Sequence, residues 1–129
     1  MFIAVTQFCM HILIVDDQTS IRELLAHLLR KVSTVITSHS LEDARTVLSN
    51  HNFDLVISDL RLNRAKGMEG FELLSYAREV SPETKVIIMS GFGTEAVKNR
   101  AYELGALCFI EKPINISHLY SKVQSLNNK

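Results

Sequence analysis

Met10-His-Ile-Leu-Ile-Val-Asp-Asp17 is an apolar run, broken by one histidine, that stops on two carboxylates. Apolar residues on both faces of a short extended segment imply a strand buried between two helical layers. Ile12–Val15 forms that strand core, and four further runs read the same way: Thr34–Thr37, Leu55–Ser58, Val86–Met89 and Leu107–Ile110. They are rich in Ile and Val, which favour a pleated backbone.

The segments between these runs have helical period. Ile21, Leu24, Leu25, Leu28 and Leu29 form one stripe, opened by Ser20-x-x-Glu23 as a capping box. Ala44, Val47 and Leu48 form a second, opened by Ser40-x-x-Asp43. Phe71, Leu74, Ala77 and Val80 form a third, which stops at Ser81-Pro82. Val97, Ala101 and Leu104 form a fourth, closed by Gly105, and Ile116, Leu119, Tyr120 and Val123 a fifth. Strands that alternate with helices imply an α/β fold with a parallel sheet, right-handed crossovers and helices on both faces.

Polar residues fall at the ends of the strands. The first run ends in Asp16-Asp17, the third in Asp59, the fourth in Ser90 and the fifth in Lys112. A parallel sheet places all its carboxyl ends on one rim, where open α/β sheets bind their ligands. Three carboxylates gathered there oppose one another's ionisation, and a divalent cation relieves that conflict. Oxygen ligands without Cys or His favour Mg²⁺ or Mn²⁺ over Zn²⁺. Lys112 adds a fixed positive charge and Ser90 a hydroxyl, so the set suits a phosphoryl group. Asp59, alone at its strand end, reads as the nucleophile, and the pair Asp16 and Asp17 as metal anchors. Taken singly, each residue is an ordinary turn or helix-capping residue. Their joint occurrence in order at successive strand ends is not ordinary.

Val15-Asp16-Asp17, Ile57-Ser58-Asp59, Met89-Ser90-Gly91 and Glu111-Lys112-Pro113 resemble the receiver domain of bacterial two-component response regulators. The resemblance runs over nearly the whole chain. It implies a flavodoxin-like, doubly wound sheet of five parallel strands in the order 2-1-3-4-5 with five helices. It further implies that Asp59 is the phosphoacceptor, and that Asp16, Asp17, Asp59 and the backbone carbonyl of Arg61 hold Mg²⁺. Lys112 and Ser90 would bind the phosphoryl group. Ser90 and Phe109 would form the switch, with Phe where a Tyr is commoner, and Pro113 would follow a cis peptide bond. The partners implied are a histidine kinase or histidine phosphotransfer protein, then an effector domain, a downstream protein or a second copy of the chain. Such a domain promotes its own phosphorylation and dephosphorylation, a borderline use of the word enzyme. A receiver-like docking or dimerisation module that is never phosphorylated is the alternative.

The stretch Leu60–Gly70 departs from the family pattern. It lacks the usual proline, runs about three residues longer than usual, and carries Arg61, Arg64 and Lys66. Those cations could face the phosphoryl group or an acidic partner, and the insertion makes the Arg61 assignment less direct.

Other chemistries fit less well. Gly91-x-Gly93-x-x-Ala96 matches a dinucleotide fingerprint, with Glu111 downstream as the acid. That reading has no room for a second nucleotide-binding half and leaves Asp16, Asp17, Asp59 and Lys112 without a role. No Gly-x-x-x-x-Gly-Lys motif is present, and Leu60-Arg61 after Asp59 lacks the second aspartate of a haloacid-dehalogenase-type phosphatase. His11, His27, His39, His51 and His118 have no metal-ligand spacing. His27 lies off its helix's apolar stripe and is expected in solvent.

The 129 residues are 47% hydrophobic and 22% charged, which suits one globular domain that buries about two thirds of its surface. Fourteen basic residues balance 14 acidic ones, so no nucleic-acid surface is expected. Cys9 and Cys108 form no CxxC pair and are expected to be reduced thiols in the cytoplasm. The apolar start lacks a basic residue before Arg22 and is too short to span a bilayer, so neither a signal peptide nor a membrane anchor is expected. Residues 1–9 are an extension and residues 10–129 the receiver domain. The sequence holds no effector segment after the fifth helix, so a stand-alone receiver and the receiver of a longer regulator are both open.

Overall fold

The computed structural model describes residues 10–62, 67–91 and 93–127. Strands and helices alternate strictly: β1 (Met10–Val15), α1 (Thr19–Leu29), β2 (Ser33–Ser38), α2 (Leu41–Asn50), β3 (Leu55–Asp59), α3 (Glu69–Val80), β4 (Lys85–Ser90), α4 (Glu95–Glu103), β5 (Cys108–Glu111) and α5 (Ile116–Asn127). The strands form one parallel sheet in the order β2-β1-β3-β4-β5. β1 pairs with β2 on one side and β3 on the other, so the winding reverses between β1 and β3. That reversal opens a crevice at the carboxyl ends of these two strands.

Alternation along the strands divides the core into two layers. Ile12 and Ile14 of β1 face α1 and α5, where they meet Leu25, Leu29, Leu119 and Val123. Leu13 and Val15 face the other way, onto Ala44 and Leu48 of α2, Leu73, Leu74 and Ala77 of α3, and Ala101 of α4. Both faces of the central strands are dry, as the unbroken apolar runs required. Ile12, Ile14, Ile57, Ile87 and Ile88 have no solvent exposure.

The structure corrects several local expectations. Ser20 does not cap α1: the helix begins at Thr19, and the N-cap residue Gln18 makes no side-chain cap hydrogen bond. Two stripe residues face water, Leu24 at 50% exposure and Val80 at 46%. In α3 Leu74 and Ala77 are buried as expected and Leu73 joins them, whereas Phe71 is only half-buried. The runs Leu55–Ser58 and Val86–Met89 each extend by one residue at the carboxyl end, so β3 and β4 end on Asp59 and Ser90, the residues expected at those ends. Other expectations are met. Ser40 Oγ accepts a hydrogen bond from Asp43 N at 3.1 Å, Gly105 closes α4 with φ 102°, and His27 is exposed. Cys108 is a buried free thiol. Residues 1–9, with Cys9, and the loop cations Arg64 and Lys66 lie outside the described residues.

Candidate functional site

Backbone hydrogen bonds carry the ladder past the strand ends and hold the polar residues at the rim. Asp16 N donates to Ser38 O at 3.1 Å, Leu60 N to Met89 O at 2.8 Å, and Lys112 N to Ser90 O at 2.9 Å. The α3 N-terminus braces the end of β3, with Gly70 N donating to Leu60 O at 2.8 Å. Arg22 of α1 braces the end of β1, its Nη1 donating to Asp16 O at 2.8 Å.

Within this frame one oxygen each from Asp16, Asp17 and Asp59 lies within 4.8 Å of the others. Asp16 and Asp59 are buried and Asp17 is half-buried. Lys112 Nζ sits 3.1 Å from Asp59 Oδ2, 3.6 Å from Asp16 Oδ2 and 3.4 Å from Gln18 Oε1. Ser90 is 1% exposed at the end of β4. Asp17, Gln18, Asp59, Arg61, Ser90, Gly91 and Lys112 line one cleft of about 330 Å³. The structure therefore brings together Asp16, Asp17, Asp59, Ser90 and Lys112, which lie far apart in the chain. Arg61 joins them, its backbone N–H donating to the Asp59 carboxylate. The Lys112-Pro113 peptide bond is cis.

Burial pushes the Asp16 carboxyl above its ordinary value of 3.8; the Gln18 amide lowers it, Asp59 raises it again, and Lys112 pulls it back. Burial also raises Asp59, against the charge and hydrogen bond of Lys112 and the Arg61 amide, with Asp17 adding to the rise. Among the described residues Lys112 Nζ contacts two of these three carboxylates, and Asp16 Oδ2 is buried without a hydrogen bond. A set of hard oxygen donors with surplus negative charge fits a divalent cation.

Phe109 is not among the residues that line this cleft. It is half-buried against the α2–α3–α4 layer, and its backbone N–H donates to Tyr102 Oη of α4 at 3.1 Å. Lys98 of α4 pairs with Glu111 of β5 at 2.6 Å, and that hydrogen bond holds Lys98 above the ordinary lysine value. The Glu111 carboxylate also packs on Gly93, where an added Cβ would stand 2.6 Å from its Oε2. An acid occupies the glycine turn where the dinucleotide reading needs a pyrophosphate. Reading the sequence missed Gln18, Arg22 and Tyr102. Only Gln18 left a trace, a polar residue directly after the acidic pair.

A family model for the response regulator receiver domain matches residues 12–124. The chain belongs to that family. The response regulator protein PilR of Pseudomonas aeruginosa is 32% identical over 108 residues, which is 83% of this chain and 24% of PilR. Sporulation initiation phosphotransferase F of Bacillus subtilis (strain 168) is 33% identical over 115 residues, covering 88% of this chain and 90% of that protein. Among solved structures, a CheY-like response regulator receiver domain protein from Methanospirillum hungatei JF-1 superposes with a TM-score of 0.85. It is 28% identical and covers 93% of this chain and 94% of its own. This receiver domain thus corresponds to about a quarter of PilR and nearly all of the phosphotransferase. The five-stranded parallel sheet in the order 2-1-3-4-5 is the CheY-like receiver fold. Family membership displaces the dinucleotide reading. Among the described residues no helix is long and apolar enough to cross a membrane.

Proposed function

We propose that Asp59 accepts a phosphoryl group from the phosphohistidine of a histidine kinase or a histidine phosphotransfer protein. The observation that carries this reading is the meeting of three carboxylates with the Lys112 ammonium at the β1/β3 crevice, Asp17, Asp59 and Lys112 lining the cleft and Asp16 buried beside it. An Asp59 carboxylate oxygen attacks the phosphorus in line. The P–N bond to the donor imidazole breaks, its electron pair stays on the imidazole, and an aspartyl phosphate forms. Lys112, hydrogen-bonded to Asp59 beforehand, donates to a phosphoryl oxygen. The Ser90 hydroxyl donates to another, and Phe109 turns into the space Ser90 leaves. That movement repacks the face made by α4, β5 and α5, which an effector domain, a downstream protein or a second copy of the chain reads.

Asp16, Asp17, Asp59 and the Arg61 carbonyl are the groups that would hold Mg²⁺. The cation's role is to neutralise charge on the transferring phosphoryl oxygens. Support for this assignment comes from the orphaned Asp16 Oδ2 and the all-oxygen donor set. The chain works in the cytoplasm, where its kinase donors present their phosphohistidine.

Intact mass after incubation with acetyl phosphate tests this function. With Mg²⁺ the protein gains one phosphoryl group; with EDTA, or as Asp59→Asn, it gains none. A wild-type protein that stays unmodified in Mg²⁺ would make the chain a phosphorylation-independent docking module instead.

A further inference from the structure

Helix α1 begins without the cap its position favours. Gln18 occupies the N-cap in an extended conformation (φ −88°, ψ 111°) but makes no side-chain cap hydrogen bond. Ser, Thr, Asn and Asp are preferred there because their short side chains reach back to the first helical amides. The longer Gln18 side chain reaches outward, and its Oε1 stands 3.4 Å from Lys112 Nζ. A lysine ammonium only donates, so the carboxamide oxygen must face it. The residue is fixed at its root as well, because Gln18 N donates to Asp16 Oδ1 at 2.8 Å. Gln18 lines the same cleft as Asp59, Ser90 and Lys112.

We propose that Gln18 is a positioning residue for phosphoryl transfer in this chain, holding the Lys112 ammonium beside Asp59. The inference rests on the phosphoacceptor reading of Asp59. Lys112 is a flexible point charge on a four-carbon stem, and it works only if held where the phosphoryl oxygens arrive. Asp59 and Asp16 approach it from the sheet side and Gln18 from the helix side. A neutral acceptor is suited to this task. It orients the ammonium while leaving its charge for the phosphoryl group, whereas a carboxylate at position 18 would compete for that charge.

Gln18→Met keeps the length and helix propensity of the side chain and deletes the acceptor. Losing one charge-assisted hydrogen bond slows Mg²⁺-dependent uptake from acetyl phosphate about five-fold. Gln18→Glu slows it as well, by drawing the ammonium away. A second readout needs neither metal nor phosphodonor: the two Lys112 Hε protons, inequivalent while the ammonium is held, move closer together in the NMR spectrum of Gln18→Met, where only Asp59 and Asp16 still hold it. Wild-type uptake in Gln18→Met, or unchanged Lys112 resonances, would overturn the proposal. Should the wild type itself take up no phosphoryl group, the Asp59 reading fails separately. The Lys112 resonances then still decide whether Gln18 holds the ammonium.

Discussion

Asp16 has one carboxylate oxygen bonded to the Gln18 amide and the other buried 3.6 Å from Lys112 without a hydrogen bond. Its carboxyl is raised above 3.8, chiefly by burial, so the folded protein holds that proton more tightly than the unfolded chain does. Stability therefore falls as pH rises from the ordinary carboxylate range through the raised value, and the penalty is complete above it. Asp16→Asn removes the penalty. In metal-free buffer at pH 7 the variant is expected to be more stable by about 1 kcal/mol, the scale seen on relieving strained functional sites. The gain shrinks as pH falls through the raised Asp16 value. Urea titrations at several pH values check this, and a variant less stable at pH 7 would refute it. Asp16, Asp17, Asp59 and Lys112 could be read from sequence because each punctuates an apolar run. Gln18 showed only as a polar residue after the acidic pair, because the contact its side chain makes is with Lys112, 94 positions away.

At the scale of elements, α3 sits against the end of β3 through a glycine. A Cβ on Gly70 would come within 2.7 Å of Asp59 O and of Leu60 Cα, both backbone atoms. Alanine is the better helix former by roughly 1 kcal/mol in a helix interior, and by less this close to the helix start. Forcing two backbones apart costs about 1–3 kcal/mol, so the clash wins. Gly70→Ala is expected to lower stability in urea titration by about 1–2 kcal/mol, whereas a stabilised variant would show that α3 yields freely. Periodicity located all five helices but misjudged the start of α1 and two positions on the apolar faces. The α1 start lies ahead of Ser20, with Gln18 at the N-cap and its backbone N–H turned onto Asp16 Oδ1. Leu24 and Val80 matched their stripes yet stayed in water, because a stripe predicts an apolar face and not whether a neighbouring element covers it.

Across the whole molecule, strand order decides where the acids meet. Placing β1 between β2 and β3 puts Asp16 and Asp17 beside Asp59 at the carboxyl rim of the sheet. The alternation of strands and helices made the parallel sheet legible, while the strand order came from family resemblance and not from periodicity. A cation that binds only the folded chain stabilises it by linkage, roughly 2.7 kcal/mol at a free concentration of 100 Kd. Adding Mg²⁺ at pH 7 is thus expected to raise the Tm of the wild type by several degrees and that of Asp16→Asn by much less. Equal shifts in both proteins would place the cation elsewhere. The central claim is that one particular carboxylate in this cluster becomes the acyl phosphate. Reducing the acetyl phosphate-treated protein with borohydride converts an aspartyl phosphate to homoserine, and peptide mass spectrometry then locates it. The account predicts homoserine at position 59 alone; homoserine at 16 or 17, or at no position in a protein shown to be phosphorylated, would contradict it.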